Sequence, residues 1–433
     1  MVMIKVLMKG EININEKTVI VGVDLASDDI NIDNSLDELE ELVNAAGGEV
    51  EARVVQKRDS INAPFFIGKG KAEEIKRYCD EFDINSVVFD DELSGAQLRN
   101  LEDLIERKIV DRTNLILDIF ASRATTKDGK LQVKLAQLKY RLPRLVGFRD
   151  YLSREGGGIG TRGPGEQKLE TDRRHILREV DNIQKQIKEI EDNREVQRKQ
   201  RTDSNFPIIA LVGYTNSGKS TLLNKLIHLY ENGSDLKEVY VKDMLFATLD
   251  TSLRQAKLPN GQNYLITDTV GFVSKLPTSL IDAFKSTLEE VRYADLLLHI
   301  VDVSNEDLDI QIKTTLNILQ ELNVLDKPII TVFNKTDKAR TSDVFYEDKL
   351  IDDKIFISAK EEENLEELME LVQEKLPFKY KRVTLRIPYE DHDILNYFME
   401  NYNETNLEHK NDGSYLDVTI NEIDMERYKK YIV

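Results

Sequence analysis

PIIALVGYTNSGKSTLLNKLIHLY, residues 207–230, decides the fold. An unbroken apolar run stops at Gly213, and a leucine-rich helical pattern starts at Thr221. The segment between them, GYTNSGKS at 213–220, has the spacing G-x-x-x-x-G-K-[ST]. Set between a buried strand and a helix, that spacing predicts a loop that cradles phosphate. Gly213 and Gly218 let the backbone curl so that successive N–H groups face phosphate oxygens, and the helix start adds its positive end. Lys219 is expected to reach the β- and γ-phosphates. The Ser220 hydroxyl is expected to meet Mg²⁺, which prefers hard oxygen ligands. Tyr214, Thr215, Asn216, Ser217 and Thr221 complete the expected contact set.

Three further signals follow, each at the end of an apolar run. DTVG, 268–271, closes the run YLITD. Asp268 is placed to hold magnesium through water, and the Gly271 N–H to meet the γ-phosphate. NKTD, 334–337, closes PIITVF. The Asp337 carboxylate can accept both N1–H and N2–H of guanine, an arrangement adenine does not offer. Asn334 is expected to brace the neighbouring loops, with Lys335 beside it. Ser358, Ala359 and Lys360, at the end of the run KIFIS, offer backbone N–H groups to guanine O6. Nucleotide groups gathered at strand carboxyl ends obey the general rule for open α/β sheets. Between the first two motifs lies FATLDTS, 246–252, where a magnesium-coordinating threonine is expected. Thr248 is the first choice and Thr251 the alternative.

Together these residues imply GTP hydrolysis, with Lys219, Thr248 and Gly271 as the catalytic candidates. No side chain stands out as a general base, so positioning and charge stabilisation carry the reaction. Phe272 stands where some such enzymes place a water-orienting glutamine, and a phenyl ring cannot orient water. Intrinsic turnover is therefore expected to be slow and partner-stimulated. Asn216 offers a ligand for K⁺ in the loop; its alternative role is purely structural.

Apolar runs at 207–213, 264–268, 296–303, 328–333 and 354–358 alternate with amphipathic helices, predicting a doubly wound parallel sheet over 203–378. Upstream, strand patterns at 18–25, 49–56 and 84–91 alternate with helical ones at 35–46, 71–82 and 94–107, predicting a small α/β domain over 1–120. In 121–202, Leu131, Leu135, Leu138 and Leu142 form one stripe, which Pro143 is expected to end. Ile176, Val180, Ile183, Ile187 and Ile190 form a second stripe at coiled-coil spacing. This is an antiparallel helical hairpin with a glycine- and arginine-rich tip, and its seam is expected to close within one chain, giving a monomer. Residues 379–433 read as strand, helix, hairpin, helix, a small α+β domain with a turn at NDG, 411–413.

The net charge is −19, which alone argues against nucleic acid, but from Ala121 to His175 there are 13 Lys and Arg against 6 Asp and Glu. This net +7 on a remainder of −26 is an electrostatic footprint for a polyanion. Arg144, Arg149, Arg154 and Arg162 are the candidate RNA contacts, able to pair with phosphates or stack on unpaired bases. The single cysteine, Cys79, excludes an internal disulfide. No apolar run is long enough for a membrane helix, and the N-terminus lacks signal-peptide character, so a cytoplasmic protein without an anchor is expected.

Several strings resemble the HflX family of ribosome-associated GTPases: FIGKGKAEEI (66–75), VVFDDELSGAQLRNLE (87–102), VDRTNLILDIFASRA (110–124), KLQVKLAQLKYRLPRL (130–145) and GGGIGTRGPGEQKLETDRRHI (156–176). The resemblance runs over about 15–376. DTSLR at 250–254 departs from it, with Thr251 where the family commonly has proline. The resemblance implies binding to the large ribosomal subunit and its rRNA in the GTP state. It also implies splitting or rescue of stalled or idle ribosomes under heat or antibiotic stress, with the hairpin tip near the peptidyl-transferase centre. A rival reading, an RNA-remodelling enzyme with a second nucleotide at FIGKGK, lacks the phosphate-loop spacing.

Overall fold

β-Branched and aliphatic residues crowd the strands that lie deepest. All seven residues of Leu296–Asp302 are buried, as a strand covered on both faces requires. The computed structural model describes residues 16–26, 31–155, 164–202, 206–229, 253–275, 289–305, 307–338, 353–376, 380–402 and 404–433. The chain divides into two compact units, the first Met1–Asn193 with Asp243–Asp250 and Val273–Ser286, the second the remainder.

In the first unit, strands β1 (Glu16–Leu25), β2 (Gly48–Arg58), β3 (Ser86–Phe89) and β4 (Lys108–Asp111) form a sheet in the order β2-β1-β3-β4, every pair parallel. Helices α1 (Ile32–Ala45), α2 (Lys69–Glu81), α3 (Gly95–Ile105) and α4 (Arg112–Arg123) connect and follow the strands. Ser94 caps α3 through a reciprocal box with Gln97, and Asp111 caps α4. Strand β4 and helix α4 are additions to the sequence reading. Within this unit Arg112, 1% exposed, bonds Asp90 at 2.7 Å, Glu38 at 2.5 Å and Ser274 at 2.8 Å. Lys275 pairs with Asp90 and with Asp91, the latter at 2.9 Å.

Two long helices follow, α5 (Lys127–Glu155) and α6 (Pro164–Thr202). Leu135 and Leu138 pack on Val180, Ile183 and Ile187, with Leu131 and Ile176 at the margin, so the two stripes meet as the spacing predicts. The expected end at Pro143 is corrected: α5 runs through it to Glu155. Proline at 143 removes the N–H that would reach the Lys139 carbonyl, and the helix continues with that one bond fewer.

In the second unit, β5 (Ile208–Gly213), β6 (Leu253–Lys257), β7 (Asn263–Asp268), β8 (Leu296–Asp302), β9 (Ile329–Asn334) and β10 (Asp353–Phe356) form a sheet in the order β10-β9-β8-β5-β7-β6. All pairings are parallel except β6 with β7, and β6 is an edge strand absent from the sequence reading. Helices α7 (Lys219–His228), α8 (Glu289–Tyr293), α9 (Leu308–Glu321) and α10 (Leu365–Lys375) accompany it. One core joins Leu222, Leu226, Ile266, Leu298, Val332, Leu368 and Met369. The C-terminal piece is an antiparallel sheet of β11 (Tyr380–Ile387), β12 (Glu404–Lys410) and β13 (Gly413–Asn421), with α11 (His392–Asn401) and α12 (Glu422–Arg427). Among the described residues, no helix is long and apolar enough to cross a membrane.

Candidate functional site

The carboxyl ends of β5, β7, β8 and β9 bring the three motifs together. Strand β5 runs into the 213–220 loop, and α7 starts at Lys219 with Gly218 as its cap. Gly218 has φ +96°, and a Cβ there would lie 2.3 Å from Asn334 Nδ2. No other residue type combines that backbone with that contact. Asn216 has φ +59° and is exposed. Asparagine is among the few non-glycine types that adopt this conformation readily, which accounts structurally for its place.

Lys219 is 6% exposed and folds back to donate to the carbonyls of Gly213 at 3.1 Å and Tyr214 at 2.6 Å. Burial pulls its pKa down to about 8; Asp268 opposes this and Lys335 adds to it. The buried hydroxyls of Thr215 and Ser217 have no hydrogen-bond partner among the described residues. Orphaned polar atoms in a loop of this kind fit a ligand bearing several oxygens. Gly271 approaches the loop so closely that a Cβ would sit 2.8 Å from Thr215 Cα and 3.1 Å from Lys219 Nζ. Next to it, Phe272 is 2% exposed and clasps the loop: Thr215 N–H donates to its carbonyl at 2.7 Å, and its N–H to Gly213 O at 3.1 Å.

Ser220 Oγ donates to Asp268 Oδ2 at 2.5 Å, so the two hard oxygens expected around Mg²⁺ are adjacent. That arrangement fits a small divalent cation. Thr221 follows in the first turn of α7. Thr248 and Thr251 lie outside the described residues.

Asn334 ties the motifs to each other. Its Nδ2 donates to Ser217 O at 2.9 Å, and its Oδ1 accepts from Ala359 N–H at 3.0 Å. Ser358 Oγ donates to Asp337 Oδ1 at 2.8 Å and accepts from Glu361 N–H at 3.2 Å. Asp337 is exposed, and Lys360 is exposed beside Glu361. Lys335, at φ +68°, pairs with Asp302 at 2.7 Å. Two supports were missed in the sequence: Asp302, which ends the apolar strand β8, and the Ser358 hydroxyl. The first had a signal, a carboxylate at a strand's carboxyl end like Asp268. His299, also on β8, is held neutral, its pKa pulled to about 3 by burial and by Lys219.

The RNA candidates divide. The Arg144 guanidinium, a candidate RNA contact, is engaged inside the first unit, 3.0 Å from Asp111 and from Glu92. Arg149 and Arg154 are on α5, with side chains outside the described set, and Arg162 lies outside the described residues. At FIGKGK, Gly68 N–H is taken by Gln56 at 2.8 Å and Lys71 pairs with Glu74 at 2.8 Å, so neither is arranged as a phosphate cradle.

Three family models match in succession: a GTP-binding GTPase N-terminal model over 33–121, a GTP-binding GTPase middle region over 123–201, and a 50S ribosome-binding GTPase model over 208–335. The GTPase HflX of Caldanaerobacter subterraneus subsp. tengcongensis is 48% identical over 89% of this chain and 86% of its own. That of Escherichia coli K12 is 39% identical over 82% of each. Among solved structures, a GTP-binding protein of Sulfolobus solfataricus in complex with GDP aligns with 83% of this chain and 98% of its own, at 25% identity and a TM-score of 0.43. The identity to the two HflX proteins, over more than four-fifths of each chain, makes this chain a member of the HflX family of GTPases, a GTP-hydrolysing enzyme.

Proposed function

We propose that the GTP-bound protein docks on the large ribosomal subunit through its hairpin tip, that the ribosome stimulates hydrolysis, and that hydrolysis releases it. The observation that supports this is the paired seam of α5 and α6, two helices that overlap the net-basic, arginine- and glycine-containing stretch 121–175. The match of 208–335 to a model described as a 50S ribosome-binding GTPase supports the same partner. The task served is splitting or rescue of stalled or idle ribosomes in the cytoplasm, in keeping with the family resemblance.

In this mechanism Lys219 and the N–H groups of 213–220 hold the β- and γ-phosphates. Asp337, bonded by the Ser358 hydroxyl, accepts from guanine, and the 358–360 segment offers backbone N–H groups to guanine O6. Ser220 and Asp268, joined by Thr248, would hold Mg²⁺, which when bound would neutralise phosphate charge. The Gly271 N–H faces the γ-phosphate. Phe272 is engaged in clasping the loop and offers attacking water no hydrogen bond, so the free enzyme is slow and the ribosome completes the site. Asn216 is a candidate K⁺ ligand, and faster turnover in KCl than in NaCl is the expected sign.

Sedimentation with purified large subunits tests the docking step. Retention with a non-hydrolysable GTP analogue and loss with GDP is expected. Equal retention in both states contradicts nucleotide-controlled docking.

A further inference from the structure

We propose that Asp111, Tyr140 and Arg144 form a clamp that fixes the direction in which the helical hairpin leaves the N-terminal sheet, which makes Tyr140 and Arg144 positioning residues for the tip. The proposal rests on the reading of the hairpin as the ribosome-facing element.

Asp111 ends β4 and is fully buried. Its two carboxylate oxygens gather four donors from three places in the fold. Leu93 N–H, before α3, donates to Oδ2 at 3.0 Å, and Asn114 N–H, in the first turn of α4, to Oδ1 at 2.9 Å. From α5, the Tyr140 hydroxyl donates to Oδ1 at 2.6 Å and Arg144 Nη2 to Oδ2 at 3.0 Å. Arg144 reaches further: Nη2 is also shared with Leu93 O at 2.9 Å and Glu92 Oε1 at 3.0 Å, and Nη1 takes its own Tyr140 carbonyl at 2.9 Å. Its guanidinium lies 3.4 Å from the Tyr140 ring centroid. A planar fork with fixed donor directions, stacked on a ring and spread over so many acceptors, specifies orientation rather than mere attraction. Burial, the largest influence, raises the Asp111 carboxyl, and Arg144 beside it pulls the other way.

The backbone approach is equally specific. A Cβ on Gly95, the first residue of α3, would meet Arg144 O at 2.8 Å and Arg144 Cα at 2.9 Å. Only glycine lets the two helices come this close here. Pro143 immediately precedes the contact, where the helix has one hydrogen bond fewer and is easiest to bend. The clamp thus sits at the most deformable point of α5. Beyond it α5 continues to Glu155, a lever of roughly 17 Å at 1.5 Å per residue, so a ~10° error at the root displaces its end by ~3 Å. Recognition by hydrogen bonds does not tolerate that shift.

The test uses the full-length protein spin-labelled at Arg77→Cys on α2 and His175→Cys on α6, both exposed positions. Native Cys79 is buried, its thiol pushed up to about 11, and takes little label. Pulsed electron resonance then reads the distance distribution in the parent and in Arg144→Ala and Tyr140→Phe, alongside GTP turnover with and without large subunits. Arg144→Ala is expected to widen the distribution about twofold, and Tyr140→Phe, which keeps the ring and loses one bond, to widen it less. Turnover of the free enzyme stays within about twofold, while the subunit concentration for half-maximal stimulation rises about tenfold. A distribution unchanged in both variants overturns the clamp. A widened distribution with unchanged stimulation keeps the clamp and removes the ribosome-facing role of the hairpin.

Discussion

Lys219 shows how one buried charge links the site to pH. Its ammonium is pulled down to about 8 in the free protein, chiefly by burial. A bound triphosphate favours the charged form and raises that value again, so binding above pH 8 takes up a proton. Affinity for GTP is therefore expected to be flat from pH 6.5 to 7.5 and to fall by up to about tenfold per unit above roughly pH 8. Titration of a fluorescent GTP analogue from pH 6.5 to 9 measures this, and a Lys219→Arg variant, whose guanidinium does not deprotonate, loses the slope. Asp302 makes a second prediction. Replacing it with alanine leaves Lys335, at positive φ, without its carboxylate partner. GTP affinity is expected to drop by about tenfold, the effect of one charge-assisted hydrogen bond. An affinity unchanged within error would mean that Asp302 does not position Lys335.

At the level of elements, the hairpin seam carries its own test. Ile183 is 3% exposed between Leu135 and Leu138 on one side and its own helix neighbours on the other. Ile183→Ala is expected to remove about 2–4 kcal/mol of local stability. Hydrogen exchange should quicken in α5 and α6 and stay unchanged in β5, β7 and β8. What the sequence made legible follows periodicity and burial. The central strands announced themselves as unbroken apolar runs, and the seam as a heptad stripe, because each buries one continuous surface. Strand β6, LRQAK, buries only Ala256 and lies at a sheet edge, so no pattern marked it. Strand β4 has four residues and sits between helices, too short for a period to show. Pro143 misled because proline normally stops a helix, whereas α5 continues through it with one backbone hydrogen bond fewer. The nucleotide site was legible for a different reason: each motif needs its residue types in a fixed order at strand ends. Asp302 and the Ser358 hydroxyl were not, because their work depends on partners far away in sequence.

For the whole molecule, the proposed function divides labour between a slow nucleotide site and the basic 121–175 segment. In the proposed reading, the net +7 over 121–175 against −26 over the rest of the chain is the charge distribution expected of a segment that meets a polyanion. Stimulation by ribosomes should accordingly weaken as salt rises, since contacts to phosphate release counterions. A stimulation insensitive to salt between 50 and 200 mM would point to an apolar contact instead. The measurement that bears most directly on the proposed division is multiple-turnover GTP hydrolysis with and without purified large ribosomal subunits, for the parent chain and for a variant lacking residues 146–163. Strong stimulation of the parent, lost in the variant while its subunit-free rate is unchanged, is the expected result. Stimulation that survives the deletion, or none in the parent, would contradict it.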